Sequence, residues 1–132
     1  LIAFDTNLVV RLLVQDDPLQ AAEAERVLRE AATAGETVLL VNPVLCEIVW
    51  VLEFHYKASR ADVASALESL LDNQIFTYED RALVARALDL FRKSKAGFAD
   101  FLIGLTAEAR GARTTYSFDG ALAGRAGFTV LK

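Results

Sequence analysis

Four of the 18 acidic residues stand where a solvated helix face does not explain them. Asp5 directly follows the apolar run Leu1-Ile-Ala-Phe4 and heads the tripeptide Asp5-Thr6-Asn7. Asp119 repeats that placement after a second β-type run, in Ser117-Phe118-Asp119. Glu47 lies one turn into the stretch opened by Asn42-Pro43, with Pro43, Val44, Trp50 and Val51 three and four positions away. That spacing predicts a carboxylate inside an apolar stripe, where a charge needs a salt bridge, a hydrogen-bond network or a metal. Asp100 opens a stretch whose greasy face is Phe98, Phe101, Leu102 and Leu105, while small neighbours such as Ala96, Gly97 and Gly104 leave space beside it. Each acid also has an ordinary alternative: an N-cap for Asp5, a salt bridge for Glu47, a helix-dipole partner for Asp100 and turn chemistry with Gly120 for Asp119.

Taken jointly, the four say more. Carboxylates within a few ångströms of one another cannot all stay ionised without a compensating cation. All-oxygen ligands, in a chain with one histidine and one cysteine, point to a hard ion, Mg²⁺ or Mn²⁺, rather than zinc. Hard ions held by carboxylates, with positions left for water and phosphate oxygens, serve phosphodiester hydrolysis.

The elements that must position these groups alternate along the chain. Strand-like runs are Leu1–Phe4, Thr37–Val41, Ile75–Tyr78, Arg113–Phe118 and Phe128–Leu131, with helical stretches between them. Alternation of this kind predicts an α/β fold with a mainly parallel sheet, and the loops leaving the C-terminal ends of parallel strands share one edge, where ligands bind. Asp5 and Asp119 end strands, Glu47 follows the strand ending at Val41, and Asp100 opens a helix that leads back to the sheet, so all four are expected on that edge. Asp17-Pro18 reads as an N-cap with proline at the first helical position, Asn42-Pro43 as the same device again, and Ser59 with Asp62 as a capping pair. Gly35 and Gly111 read as helix ends.

At 132 residues the chain is expected to form one domain, residues 1–132, with no linker or repeat. Apolar residues make up 54%, enough for a real core, and no uninterrupted apolar run is long enough for a membrane span. Cys46 is the only cysteine, which excludes an internal disulfide and fits a reducing cytoplasm. The opening residues carry no secretory signature, and the absence of methionine leads to the expectation that a few residues precede Leu1. A net charge of −4 means that the molecule as a whole does not attract phosphate backbones, so nucleic-acid contacts must be local. Arg11, Arg92, Lys93, Lys95 and Arg113 are the basic residues nearest the motifs; a solvated helix end is the ordinary reading of Arg92-Lys-Ser-Lys95. His55, the lone histidine, reads as structural.

These motifs, in this order and across the whole chain, resemble the PIN-domain ribonucleases, and among them the VapC-type toxins of toxin-antitoxin pairs. The resemblance rests on Asp5-Thr6-Asn7, on Asn42-Pro43-Val-Leu-Cys-Glu47-Ile-Val-Trp50, on Phe98-Ala-Asp100-Phe-Leu-Ile103 with Gly111, and on Ser117-Phe118-Asp119 with Gly127-Phe-Thr-Val-Leu131. It implies a three-layer sandwich with a five-stranded, mainly parallel sheet between helices. It also implies an acidic pocket holding one or two Mg²⁺ or Mn²⁺ ions, and endonucleolytic cleavage of RNA. Position by position, Asp5, Glu47, Asp100 and Asp119 match the metal-binding acids, and Asn7 and Ser117 match polar residues that support the pocket. Ala121 stands where some relatives carry a further acid, which leaves the second ion in doubt. The resemblance further implies a homodimer and a small antitoxin that wraps the toxin. The stretch Pro43–Tyr56, apolar nearly all round, is expected to be covered on more than one side, by the fold's own sheet and by a second subunit or partner peptide, or else by deep burial within the chain. Two other readings compete: a PIN-like scaffold without activity, and a receiver-type signalling domain. The second would need adjacent acids after the first strand, where Asp5 stands alone.

Overall fold

The apolar run that opens the chain condenses into a two-residue strand, β1 (Ile2–Ala3), and chain reversal begins at once with Asp5. In this computed structural model, which describes every residue from Leu1 to Lys132, the chain forms two compact units, Leu1–Arg81 and Ala82–Lys132.

The first unit continues with α1 (Thr6–Val14), α2 (Pro18–Thr33), β2 (Val38–Leu40), α3 (Asn42–Trp50), a π-helical segment Val51–His55, α4 (Arg60–Asp72) and β3 (Phe76–Tyr78). Its strands form a parallel sheet in the order β1-β2-β3, with Ile2 opposite Val38 and Leu40 opposite Tyr78. The helix signals behave locally. Asp17 Oδ1 accepts the Gln20 N–H at 3.1 Å with Pro18 at the first helical position, and Ser59 Oγ accepts the Asp62 N–H at 3.1 Å. Gly35, at φ +71°, leaves α2 in the left-handed region where glycine carries no steric cost. Phe4, Val9, Val38, Leu40, Leu45, Ile48, Val63 and Leu67 are buried and form the core. A polar latch joins α1, α2 and the end of the π-helical segment: Tyr56 donates to Asp16 Oδ2 at 2.9 Å, while Arg11 donates to Tyr56 Oη at 3.2 Å and to Gln20 Oε1 at 2.6 Å.

The second unit contains α5 (Arg81–Arg92, which starts at the boundary), α6 (Phe98–Ala109), β4 (Thr115–Ser117), a 3₁₀ turn Gly120–Leu122 and β5 (Phe128–Val130). β4 and β5 pair in parallel, Thr115 with Phe128 and Ser117 with Val130. Aromatic edges make its core: Phe91 meets Phe98 at 6.5 Å and Phe101 meets Phe128 at 6.4 Å between ring centroids. Gly104 is where α6 admits the Phe128 ring, because a Cβ there would collide with it.

Two expectations require correction. The predicted five-stranded sheet is instead two parallel sheets, of three strands and two. The strands are two or three residues long, and each sheet's ladder closes within its own unit. The predicted helix over Pro43–Tyr56 is α3 followed by π-helical turns, and it is not buried all round within the chain itself: Val44, Leu45, Ile48, Val49 and Leu52 are buried, whereas Glu47, Trp50 and Phe54 face outward. No helix is long and apolar enough to cross a membrane.

Candidate functional site

In the first unit all three strands run the same way, so their exits lie on one edge. At the exit of β1, Asp5 is the N-cap of α1; its Oδ1 accepts the Thr6 N–H at 2.7 Å. The ordinary role is thus real, but it engages only one of the two carboxylate oxygens. Thr6 behind it is 4% exposed and its Oγ1 has no hydrogen-bond partner. At the exit of β2, α3 begins without the side-chain cap that Asn42-Pro43 suggests. Val41 occupies the N-cap position, and the Asn42 N–H is satisfied by Glu79 Oε2 at 2.6 Å. Glu79 comes from the exit of β3, next to Tyr78, whose hydroxyl is buried and unpartnered like Asn42 Oδ1. Burial pushes the Tyr78 phenol up to about 12, against a smaller opposing pull from Arg81.

Glu47 projects from the outward side of α3, exposed among the apolar residues Pro43 and Trp50, which are exposed with it. The expectation of a costly buried charge there is wrong, because only Val44 and Ile48 beside it turn toward the core while its own line of the helix stays open. Asn7 is exposed near the start of α1 and lines a cavity of about 330 Å³ between α1 and α2 with Leu8, Arg11 and Gln20. His55 is exposed and stacks edge-on against Tyr56 at 4.7 Å, with no part in the core.

In the second unit, Asp100 lies in the first turn of α6, partly exposed, as its spacing predicts. Gly97 gives it room: a Cβ on that residue would stand 3.0 Å from Asp100 Oδ2. At the exit of β4 the Ser117 hydroxyl accepts the Asp119 N–H at 3.0 Å, and Asp119 Oδ1 accepts the Ala121 N–H at 2.9 Å. Ser117 therefore fixes the backbone that carries Asp119, while Asp119 Oδ2 makes no hydrogen bond.

The structure brings Ser117 to Asp119 and packs α1, which follows Asp5, against α3, which carries Glu47. Each unit holds two of the four acids, and nowhere do three His, Cys, Asp or Glu side chains converge as a ready ion site. None of the four is tied up by a basic partner: the ion pairs include Arg11, Arg26, Lys93 and the N-terminus, each with other carboxylates. Lys93 pairs with Asp89 at 2.9 Å, the solvated helix end expected of that basic run. Glu79 is the acid that motif reading misses. The signal was available, since it leaves β3 as Asp5 leaves β1.

Within each unit the acids keep carboxylate oxygens without a hydrogen-bond partner, a hard-donor chemistry, and Gly97 leaves room beside Asp100. Short parallel strands between helices, with acids at the exits of β1 and β4, define an α/β chain. A PIN domain is matched across residues 2–127, and the chain belongs to the PIN domain family. Among curated proteins it is similar to a VapC ribonuclease of Aquifex aeolicus (strain VF5), 26% identical over 114 residues, which cover 86% of this chain and 84% of that one.

Proposed function

We propose that this single PIN-like domain is a Mg²⁺- or Mn²⁺-dependent endoribonuclease, the toxin of a toxin-antitoxin pair. Asp5, Glu47, Asp100 and Asp119 are its metal-binding and catalytic acids. The observation that carries the reading is the family match across residues 2–127 in a chain whose four motif acids are all free of basic partners.

Asp5, Asp100 and Asp119 would hold the ion directly or through water, with Glu47 as a further ligand or as the group that orients the attacking water. When bound, such an ion lowers the pKa of water and neutralises charge gathering on the phosphate. The protein's own part is placement. The Asp5 cap orients one carboxylate, the Ser117 hydroxyl holds the Asp119 backbone, and Gly97 keeps the space beside Asp100 open. Glu47, exposed and unpaired, needs no partner displaced before it meets water. Asn7 supports the site as an exposed amide on the first turn of α1. RNA is the substrate, a cognate antitoxin the regulating partner, a homodimer the assembly and the cytoplasm the compartment; the similarity to a VapC ribonuclease supports this reading.

The test is cleavage of mixed RNAs with Mg²⁺ or Mn²⁺, beside the Asp5→Asn and Asp100→Asn variants, together with calorimetric titration of Mn²⁺. Wild type should cut and bind the ion, and both variants should lose each property. Equal cleavage by all three proteins would remove the acids from the mechanism, and a wild type that never cuts would leave an inactive scaffold.

A further inference from the structure

The charge of the chain is divided unevenly between its two units. Leu1–Arg81 carries fourteen acidic and six basic side chains, a surplus of eight acids, whereas Ala82–Lys132 carries four acidic and eight basic ones, a surplus of four bases. At physiological salt a charge is screened beyond about 8 Å, so a ligand responds to the surface it touches rather than to the sum over the chain. The cations of the second unit are also largely uncompensated. Lys93 is held by Asp89, but Arg86, Lys95, Arg110, Arg113, Arg125 and Lys132 stand in no ion pair.

The fold gathers three of these arginines. The Thr115 N–H donates to Gly127 O at 2.8 Å, so β4 and β5 begin side by side, with Arg113 two residues before the first strand and Arg125 three residues before the second. Arg110, the C-cap of α6, leads into the same end. One acid stands among them, Glu108, whose Oε2 is 3.6 Å from where a Cβ on Gly127 would lie. Arg110 and Arg113 are exposed and Arg125 is half-buried. Arg113 donates from Nη2 to the Tyr116 hydroxyl at 3.4 Å, its one hydrogen bond, which steadies the guanidinium and leaves its other N–H groups open. From this end β4 runs to Ser117 and the turn that holds Asp119. Six residues separate Arg113 from Asp119, a span of no more than about 20 Å.

Charge selects among the occupants of such a surface. The ordinary contact between two copies sets the same patch of each against the other, and here that would face three arginines with three arginines. A phosphate backbone carries one sign throughout and meets all of them favourably. On the ribonuclease reading, moreover, the acids Asp100 and Asp119 of this unit require an RNA backbone to pass across it, which an acidic protein partner does not.

We propose that the strand-entry end of the second unit, formed by Arg110, Arg113 and Arg125, grips the phosphate backbone of the RNA beside the strand that ends at Asp119. The proposal rests on the ribonuclease reading above for the identity of the polyanion and adds where the chain holds it.

The full chain, in chelator to prevent cleavage, is titrated against a fluorescein-labelled RNA of mixed sequence, read by anisotropy at several salt concentrations. Arg113→Gln with Arg125→Gln should weaken binding by about tenfold at low salt and make the slope of log affinity against log salt shallower by about two. Arg113→Lys with Arg125→Lys keeps both charges and should hold the slope near that of the wild type. Arg113 is exposed, so Arg113→Gln alone tests the surface without disturbing the fold, with a slope shallower by about one. Arg29→Gln with Lys57→Gln removes two exposed, unpaired cations of the first unit and should leave affinity and slope unchanged. Unchanged affinity and slope in the Arg113 and Arg125 variants would overturn the surface and leave it to an acidic protein, and an equal loss in the first-unit variant would overturn it too. So would a fall in mass by light scattering in Arg113→Gln with Arg125→Gln, which would assign the surface to a second copy. A wild type that cuts RNA with Mg²⁺ or Mn²⁺ but binds it without regard to these arginines removes only the surface, whereas one that binds as stated and never cuts removes the ribonuclease reading itself.

Discussion

Glu79 Oε2 accepts the backbone N–H of Asn42 at 2.6 Å, so the carboxylate leaving β3 caps the helix that leaves β2. The two residues follow strands paired at Leu40 and Tyr78. The cap thus connects the sheet register to the start of α3, the helix that presents Glu47 and Trp50. A carboxylate at that end also complements the helix dipole.

Removing that cap should loosen α3. Glu79→Ala is expected to cost about 1 kcal/mol, as loss of an N-cap does, which lowers Tm by roughly 4 °C for a domain of this size. Glu79→Gln keeps an acceptor and should lose less than half of that. Thermal unfolding followed by circular dichroism measures both, and an unchanged Tm in Glu79→Ala would show that the contact contributes nothing.

Gly97→Ala puts a methyl group 3.0 Å from Asp100 Oδ2 and forces the carboxylate to shift. Gly97 has φ −78°, so alanine meets no backbone strain there. On the proposed function, Mn²⁺ affinity and RNA cleavage should fall several-fold while stability changes by no more than about 1 kcal/mol, the cost of alanine at an N-cap. Calorimetric titration with Mn²⁺ alongside a melting curve separates the two effects.

Ser117→Ala deletes the acceptor of the Asp119 N–H. The expected loss of stability is about 1 kcal/mol, the usual worth of one hydrogen bond, and cleavage should fall by more than this change in folding can explain. Ser117→Thr keeps the hydroxyl and should restore activity in part, which ties the loss in Ser117→Ala to that hydroxyl.

Tyr78 gives a pH prediction. Its folded pKa, about 12, lies above the ordinary phenol value of 10.0, because burial disfavours the phenolate. The unfolded chain therefore loses this proton first, and stability from this group is intact below pH 10 and declines as pH rises through 10 to 12. Tyr78→Phe should flatten that decline. It also removes a buried hydroxyl without a partner, so the variant should be at least as stable as wild type at neutral pH. Denaturant unfolding at several pH values checks both statements.

Much of the architecture was legible because its signals are local. Asp17-Pro18, Ser59 with Asp62, Gly35 and Gly111 act within one turn of themselves, and all five strand runs contain the strands observed. Asp100 beside Gly97 was legible for the same reason. The burial of Glu47 was misread because an all-apolar helix carries no periodic mark of which side faces water. Which of the apolar residues from Pro43 to Tyr56 the chain buries itself was not legible either: it leaves Trp50 and Phe54 exposed. Asn42-Pro43 looked like its own cap, whereas the acceptor lies 37 positions away.

The amino-acid sequence by itself determined the βα alternation, the strand-exit acids and the kinship with PIN domains, since these depend on residue type and short spacing. Tertiary structure alone decided that Glu79 caps α3, that Glu47 shares an open helix face with two aromatic rings, and that the strands close into a three-stranded and a two-stranded sheet. Those outcomes depend on which surfaces distant segments bury against one another, and no local pattern encodes that choice.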